Sequence, residues 1–462
     1  MFDPNLYTGG DNVVYLTLAK SMATGQGYTD IYKPLQPQHN QYSIGLPLLL
    51  VPFWNSMITA KIMIMLFGLG CLIFFYKLCK EIFKKDFWLL MAMFITTPIL
   101  IFYNHYILTE IPFLFFVLGS LYFASIYDRR SDLAPIVGAI LMAVGACFIK
   151  GMGLGLLAGL GLYLLMKKQY KWFMVSVIIG LIIVLINGKT PYLTQLLAKD
   201  PYNLSLGTIA VSDLFSRIWQ NIVVYLSQVL PQALYSTMPK WLTGIYSFIL
   251  TGILGYGGYK LFKKSKVLFC YLVPMTLIIL LWQPVWSSDR FLIPIIPIVL
   301  IMIYMVLKYV RIERSLLVML FVLIGMGFNI SHYIIQFRQT VEDNIAYIKG
   351  DEYAGYPLEW QNYFETIKQL EKIDNDAFVI ARKPEYVYWL SGRKSDCYLM
   401  DNDIMKIQKH LQDYEYVIID GFTWTNTTIR YLVPALRYNS FGENYWIIYQ
   451  TEEPVFYLLR RG

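Results

Sequence analysis

The stretch MITAKIMIMLFGLGCLIFFY (57–76), followed at once by KLCKEIFKK (77–85), decides the architecture. A helix of about 20 apolar residues reaches across the hydrocarbon core of a bilayer. Lys77, Lys80, Lys84 and Lys85 stand at its exit, and short basic loops stay on the cytoplasmic side. The same pattern then repeats. Further apolar runs lie at about 87–103, 111–127, 134–149, 152–166, 172–187, 241–260, 267–282, 291–307 and 315–335. Arg129 and Arg130 follow the third run and Lys167, Lys168 and Lys171 the fifth. Lys260, Lys263, Lys264 and Lys266 follow the seventh, and Lys308, Arg311 and Arg314 the ninth. Every odd-numbered exit is basic, so the even-numbered exits face outward. Residues 1–56 and everything after about 336 share that outer side.

Composition agrees. Of 462 residues, 56% are hydrophobic and only 15% charged, against roughly 25% charged in soluble domains. The net charge of +8 does not indicate a nucleic-acid groove, because the lysines and arginines before residue 336 sit mostly in loops between apolar runs. Cys71, Cys79, Cys147, Cys270 and Cys397 show no metal or disulfide spacing and read as small packing residues. The expected fold is a polytopic α-helical membrane protein of about ten spans with an extracytoplasmic α/β domain after it. Residues 1–56 form a first outer loop with amphipathic helices, 57–335 the transmembrane domain and 336–462 the tail domain. In the tail, 377–381, 416–419, 445–449 and 455–459 read as strands, and 363–372, 403–411 and 427–436 as helices. In the first loop, 13–22 reads as a helix ended by Gly25-Gln-Gly27, and 44–54 is apolar but too short to span. No acid falls near the middle of any run and no broken helix is expected there, which argues against a transporter.

The ionisable residues with chemical potential gather on the outer side. Asp11 follows two glycines and starts the helix at 13–22. Read alone it is equally an N-cap. Glu110 opens the third run within Thr109-Glu110-Ile111-Pro112, where a first-turn acid also suits the helix dipole. Lys150 ends the fourth run, where a lysine can simply snorkel, and Arg290 opens the ninth, beside Asp289 as an ordinary ion-pair partner. Together, two cations beside two acids suit an anionic substrate and a reacting hydroxyl. His105 reads as an interfacial hydrogen-bonder or a substrate contact, Tyr15 lies one turn beyond Asp11, and His39 has no evident partner. The sequons at Asn203, Asn329 and Asn426 are short matches.

Taken in order, Gly9-Gly10-Asp11-Asn12-x-x-Tyr15, Ala19-Lys20-x-Met22, Gly25-x-Gly27-Tyr28, Gly45-x-Pro47, Thr109-Glu110-x-Pro112, Lys150-Gly151 and Arg290-Phe291-Leu292-x-Pro294 resemble the GT-C membrane glycosyltransferases of the protein O-mannosyltransferase and lipid A aminoarabinose-transferase type. The resemblance covers most of residues 7–310. It implies a polyprenyl-phosphate-linked sugar as donor and a lipid, glycan or protein hydroxyl as acceptor. It implies inversion, and an active site on the outer face, the periplasmic face of a bacterial inner membrane. Asp11 and Glu110 would be the catalytic acids, and Lys150 and Arg290 would contact the lipid phosphate, with Tyr15 and His105 among the substrate contacts. No cofactor is demanded, although two acids near a phosphate could hold a divalent ion. The resemblance also expects a helix before Asp11. None stands there, which reads as an internal start or a missing N-terminal helix. A lipid-linked-sugar flippase or a polysaccharide polymerase or ligase is the competing expectation.

Overall fold

The computed structural model describes residues 2–187, 196–199, 207–235, 239–286, 288–309, 312–374 and 376–462. The sequon at Asn203 and the basic Arg311 lie outside the described residues. In the first loop, α1 (Asn12–Ala23) and α2 (Gly45–Leu50) form where apolar spacing and the Gly25–Gly27 stop place them. The apolar runs then become α3 (Met57–Phe83), α4 (Trp88–Ile95), α5 (Pro98–Tyr103), α6 (Glu110–Arg130), α7 (Leu133–Ile149), α8 (Gly153–Met166) and α9 (Tyr170–Asn187). After α10 (Val211–Val224) and α11 (Leu230–Leu234) come α12 (Lys240–Lys264), α13 (Lys266–Leu281), α14 (Ile296–Tyr309) and α15 (Ile312–Ile348). α6 packs against α3 and α7, α8 against α9 and α13, and α12 against α14. Among the described residues, α3, α6 and the Val318–Ile348 part of α15 are each long and apolar enough to cross a membrane. Exposed Leu66, Leu69, Leu185, Phe248 and Ile335 give the bundle an outer surface suited to lipid rather than water.

The two ends of the bundle differ. At one end the odd-numbered exits meet. Arg129 pairs with Glu81, Lys167 with Asp128 at 2.5 Å, and Lys308 lies 5.7 Å from the Phe83 ring centroid. The Lys260 ammonium, from the seventh exit, lies 5.6 Å from the ring of Tyr309 in the ninth. Asp11, Glu110, Lys150 and Arg290 meet at the other end, as described below.

Two features depart from expectation. The second run is not one helix. Pro98 has no N–H and holds the preceding Thr97 extended (ψ 118°), so α4 stops and α5 restarts. The freed carbonyl of Thr96 accepts from the Asn329 amide (3.0 Å) and the Tyr333 hydroxyl (3.2 Å). The expectation of unbroken runs is therefore corrected. Asn329 is 2% exposed and also donates to the Leu234 carbonyl, which removes it as a glycosylation acceptor. Second, the stretch between the sixth and seventh apolar runs contains α10. Arg217 and Asn221 are buried while Ser212, Asp213, Ser216 and Gln220 are exposed, and the Asn221 amide donates to the carbonyls of Leu280 (2.8 Å) and Trp282 (2.9 Å) at the end of α13. Val211, Phe215, Trp219 and Val223, one turn apart, are exposed. The apolar residues keep helical spacing, but they lie on the exposed face while Arg217 and Asn221 are buried.

The tail consists of α16 (Leu358–Gln369), β1 (Val379–Ile380), α17 (Pro384–Ser391), β2 (Ser395–Asp396), α18 (Ile404–Leu411), β3 (Tyr416–Ile419), α19 (Val433–Arg437), β4 (Tyr445–Gln450) and β5 (Tyr457–Arg461). The sheet order is β2-β1-β3-β5-β4, with β2, β1 and β3 parallel and β5 antiparallel to both its neighbours. The four expected strands are present. α17 and β2 were not foreseen, because β2 is two polar residues long and α17 is too short to show a period.

The first loop and the tail interlock. The Ser395 N–H of edge strand β2 donates to the Tyr32 carbonyl at 2.7 Å, and the Asn5 amide donates to the Ala354 carbonyl at 2.5 Å. One apolar core runs without a break from Leu16 and Leu46 through the bundle to Trp360, Tyr386 and Phe456.

Candidate active site

Asp11 stands at the N-cap place of α1, but its side chain caps nothing. That is the observation that separates the two readings open from sequence. The carboxylate is instead 30% exposed, with Oδ2 3.9 Å from Arg290 Nη2. The turn before it depends on both glycines. Gly10 has φ +72°, and a Cβ there would stand 3.2 Å from Arg290 Nη1 and 3.3 Å from Leu108, so a residue without a side chain lets the loop touch the cation. A Cβ at Gly9 would press on the Tyr7 hydroxyl at 2.7 Å.

Glu110, the first residue of α6, lies across from this loop with its side chain 1% exposed. Both cations donate to the same oxygen: Arg290 Nε at 2.9 Å and Lys150 Nζ at 3.1 Å from Oε1. Lys150 and Arg290 keep side-chain exposures of 19% and 25%. Burial works against the Arg290 charge, but Glu110 and Asp11 more than offset it and hold the guanidinium fully protonated. Burial pulls Lys150 below the usual lysine range, Glu110 opposes that, and the neighbouring Arg290 reinforces it. Asp289, the simple partner for Arg290, instead accepts from the Tyr103 hydroxyl at 3.4 Å, and burial raises its carboxyl. Four side chains from four distant segments thus form one cluster with a buried acid, two half-accessible cations and an open acid at its rim.

The remaining residues named from sequence fall around this cluster. Tyr15 is 3% exposed, packs at 5.2 Å against Tyr42, and lies within electrostatic reach of Arg290. His105 is drawn elsewhere: its Nε2 lies 3.3 Å from Asp3 Oδ2, beside Lys61, which donates to Asp3 Oδ1 at 2.8 Å. His39 does have a partner, Asp30 Oδ1 at 2.6 Å, while its Nε2 accepts the Tyr42 N–H at 2.9 Å. Among the described residues no group of three or more His, Cys, Asp or Glu is placed to hold a metal ion. All five cysteines are unpaired, and four of them are buried.

Sequence reasoning missed the support of the Asp11 loop. Asn12 donates to the carbonyls of Tyr7 and Gly9 and, at 3.3 Å, to the Tyr386 hydroxyl. Tyr386, from α17 of the tail, donates in turn to the Tyr7 carbonyl at 2.6 Å. Asn12 Oδ1 is buried with no hydrogen-bond partner among the described residues. Asn12 adjoins the acid, which is a signal; nothing in the sequence marks Tyr386. Glu385, beside it, is buried, and burial raises its carboxyl, with the Asp11 charge adding to the rise.

No family model and no curated protein matches the chain. Solved structures do. ArnT from Cupriavidus metallidurans in the apo state shares 11% identity at a TM-score of 0.59, over 99% of this chain and 94% of that one. The same protein bound to undecaprenyl phosphate matches at 11% and 0.58 over the same shares. The Archaeoglobus fulgidus oligosaccharyltransferase, tethered to an acceptor peptide containing an NVT sequon, matches at 12% and 0.53, over 96% of this chain and 69% of that one. The chain shares its fold with these structures, a polytopic helical bundle with a small α/β domain at its end.

Proposed function

We propose that this GT-C-fold chain transfers a sugar from a polyprenyl-phosphate donor to an acceptor hydroxyl at the outer face of the membrane. One observation carries the reading: the Asp11 carboxylate is free of its helix and partly open to solvent, beside Arg290 and Lys150, which Glu110 holds in place. The ArnT structure containing undecaprenyl phosphate supports a donor of that kind. A polyprenyl tail gains roughly 0.8 kcal/mol per buried methylene, so the donor stays in the bilayer with its phosphate and sugar at the interface, level with these residues.

In the proposed step the acceptor oxygen forms a bond to the anomeric carbon as the bond to the phosphate oxygen breaks. Asp11 takes the hydroxyl proton. Arg290 and Lys150 stabilise the charge that collects on the departing polyprenyl phosphate, the guanidinium through its planar fork and the ammonium as a point charge. Displacement from the opposite face inverts the anomeric centre. Glu110, at 1% exposure and bonded to both cations, is out of reach of a substrate hydroxyl, and its proposed role is to position the cations. The basic loops at the far end of the bundle support an outward-facing site. A transporter of the same lipid-linked sugar is the second reading, favoured by the interrupted α4–α5 segment. Against it, Asn329 and Tyr333 already satisfy the freed carbonyl.

The test incubates membranes containing the protein with a radiolabelled polyprenyl-phosphate sugar. A transferase releases polyprenyl phosphate and moves label to an acceptor, and Asp11→Asn slows both by about 10²–10⁴-fold. Redistribution of intact donor across the bilayer without release would establish the transporter instead.

A further inference from the structure

The tail carries a second pair of cations, Arg382 and Lys383, that the transfer chemistry above does not use. In the sheet, β1 lies between β2 and β3. The chain leaves β1 for α17 and β2 on one side, and leaves β3 for α19 and the antiparallel strands on the other. Adjacent parallel strands whose exits diverge open a crevice at their carboxyl ends, the place where open α/β sheets take ligands. The exit of β1 delivers Arg382 and Lys383 there, and the exit of β3 delivers Trp424. The Arg382 guanidinium carbon lies 5.6 Å, and the Lys383 ammonium 5.7 Å, from the Trp424 ring centroid. Trp424 is 47% exposed.

The crevice is built, not incidental. Arg382 Nε donates to Thr427 Oγ1 at 3.0 Å. Thr427 is fixed by the Tyr398 hydroxyl at 2.9 Å, which also meets Thr428 at 2.7 Å, and Thr428 donates to the buried Asp420. This anchors the guanidinium by one nitrogen and leaves its two terminal nitrogens without a hydrogen-bond partner among the described residues, with Asp420 and Glu385 in electrostatic reach. Lys383 makes one long ion pair, 3.8 Å to Glu385. Two cations beside a half-open indole form a surface for a sugar that carries an anion. The fork takes a phosphate or carboxylate, and the ring face takes the C–H side of the pyranose. α17 begins immediately after Lys383 and packs against α1, with Tyr386 bonded to the Asp11 loop. A ligand here lies next to the transfer site.

We propose that the crevice between the carboxyl ends of β1 and β3 is the acceptor subsite for a glycan bearing a phosphate or carboxylate, with Arg382 taking the anion and Trp424 the sugar ring. The proposal rests on the transferase reading only in calling the ligand an acceptor. The experiment uses the full chain in neutral-lipid nanodiscs, with saturation-transfer NMR of glucose 6-phosphate and glucose. Arg382→Gln/Lys383→Gln and Trp424→Ala are compared with the unaltered chain after thermal unfolding has shown which variants are folded. The expected result is a response to glucose 6-phosphate well above that to glucose, weakened by about ten-fold or more in affinity in the charge variant, as loss of roughly 1.4 kcal/mol would give. Equal responses to the two sugars, or no change in the charge variant, overturn the proposal, whether or not Trp424→Ala folds. An alkyl glucoside 6-phosphate placed in the nanodisc identifies the source. Its displacement of the free sugar supports a membrane-borne acceptor, displacement by free sugar phosphates alone supports a soluble one, and displacement by neither overturns the subsite. Transfer assays on the same preparations separate the two readings. Transfer without sugar-phosphate binding refutes the subsite alone, and binding without transfer refutes the transferase alone.

Discussion

Replacing Asp11 with Asn and, separately, Glu110 with Gln should part activity from stability. The Glu110 side chain is 1% exposed, and its Oε1 receives both Arg290 and Lys150. An amide there leaves two cations facing a neutral group, and removal of one partner from a buried ion pair typically costs about 3–5 kcal/mol. Because Lys150 and Arg290 retain 19% and 25% side-chain exposure, water relieves part of that, and the lower end, about 3 kcal/mol, is expected. Asp11 is 30% exposed and its ion pair with Arg290 is long, at 3.9 Å. Its replacement by Asn should cost less than about 1 kcal/mol while slowing transfer by about 10²–10⁴-fold through loss of the base. The assays are thermal unfolding of the detergent-solubilised chain and initial rates of polyprenyl-phosphate release. Near-normal turnover by Asp11→Asn would refute the base. Unfolding of Glu110→Gln at the temperature of the unaltered chain would refute its role as the cluster's anchor.

Three further outcomes follow from the geometry. Gly10→Ala must hold a left-handed residue, at roughly 1–2 kcal/mol, with a methyl 3.2 Å from Arg290 Nη1; turnover should fall by about ten-fold or more, and an unchanged rate would show that the loop does not need this contact. Tyr386→Phe removes a hydroxyl bonded to Tyr7 and Asn12, worth about 1 kcal/mol, and should lower kcat several-fold with the donor KM unchanged; a change in KM alone would point to substrate contact instead. For Asp3, burial disfavours the charge but the His105 hydrogen bond and the Lys61 ammonium outweigh it and hold the carboxyl below its ordinary value. Its contribution to stability is therefore complete above about pH 4 and lost as pH falls through the lowered folded value. Unfolding midpoints at pH 5 and pH 3 should converge between the unaltered chain and Asp3→Asn, and a constant gap would refute this.

How much was legible in the sequence differs by scale. Charge periodicity around the apolar runs was enough to put Asp11, Glu110, Lys150 and Arg290 at one end, because that argument needs only the parity of each loop. It could not say which carboxylate would be buried. Glu110 and Asp11 both open helices, and only the packing of α6 against α3 and α7 makes one a sealed anchor and leaves the other open. The α4–α5 break was written in Thr96-Thr97-Pro98, but an uninterrupted apolar composition masked it. α10 was hidden for the opposite reason, since Arg217 and Asn221 serve carbonyls and not water. Tyr386 and the crevice beside it were beyond reach altogether. They depend on a crossing between strands two and four residues long, a length at which side-chain alternation carries no information.

The hydrogen bond between Tyr386 and the Tyr7 carbonyl also bears on how the molecule comes into being. The loop holding Asp11 emerges from the ribosome early, yet the hydroxyl that braces it is made more than three hundred residues later, and Arg290 stands between. A nascent chain already threaded through the membrane would hold the Asp11 loop without this brace. The brace on the Asp11 loop would then fall into place only when the final globule docks.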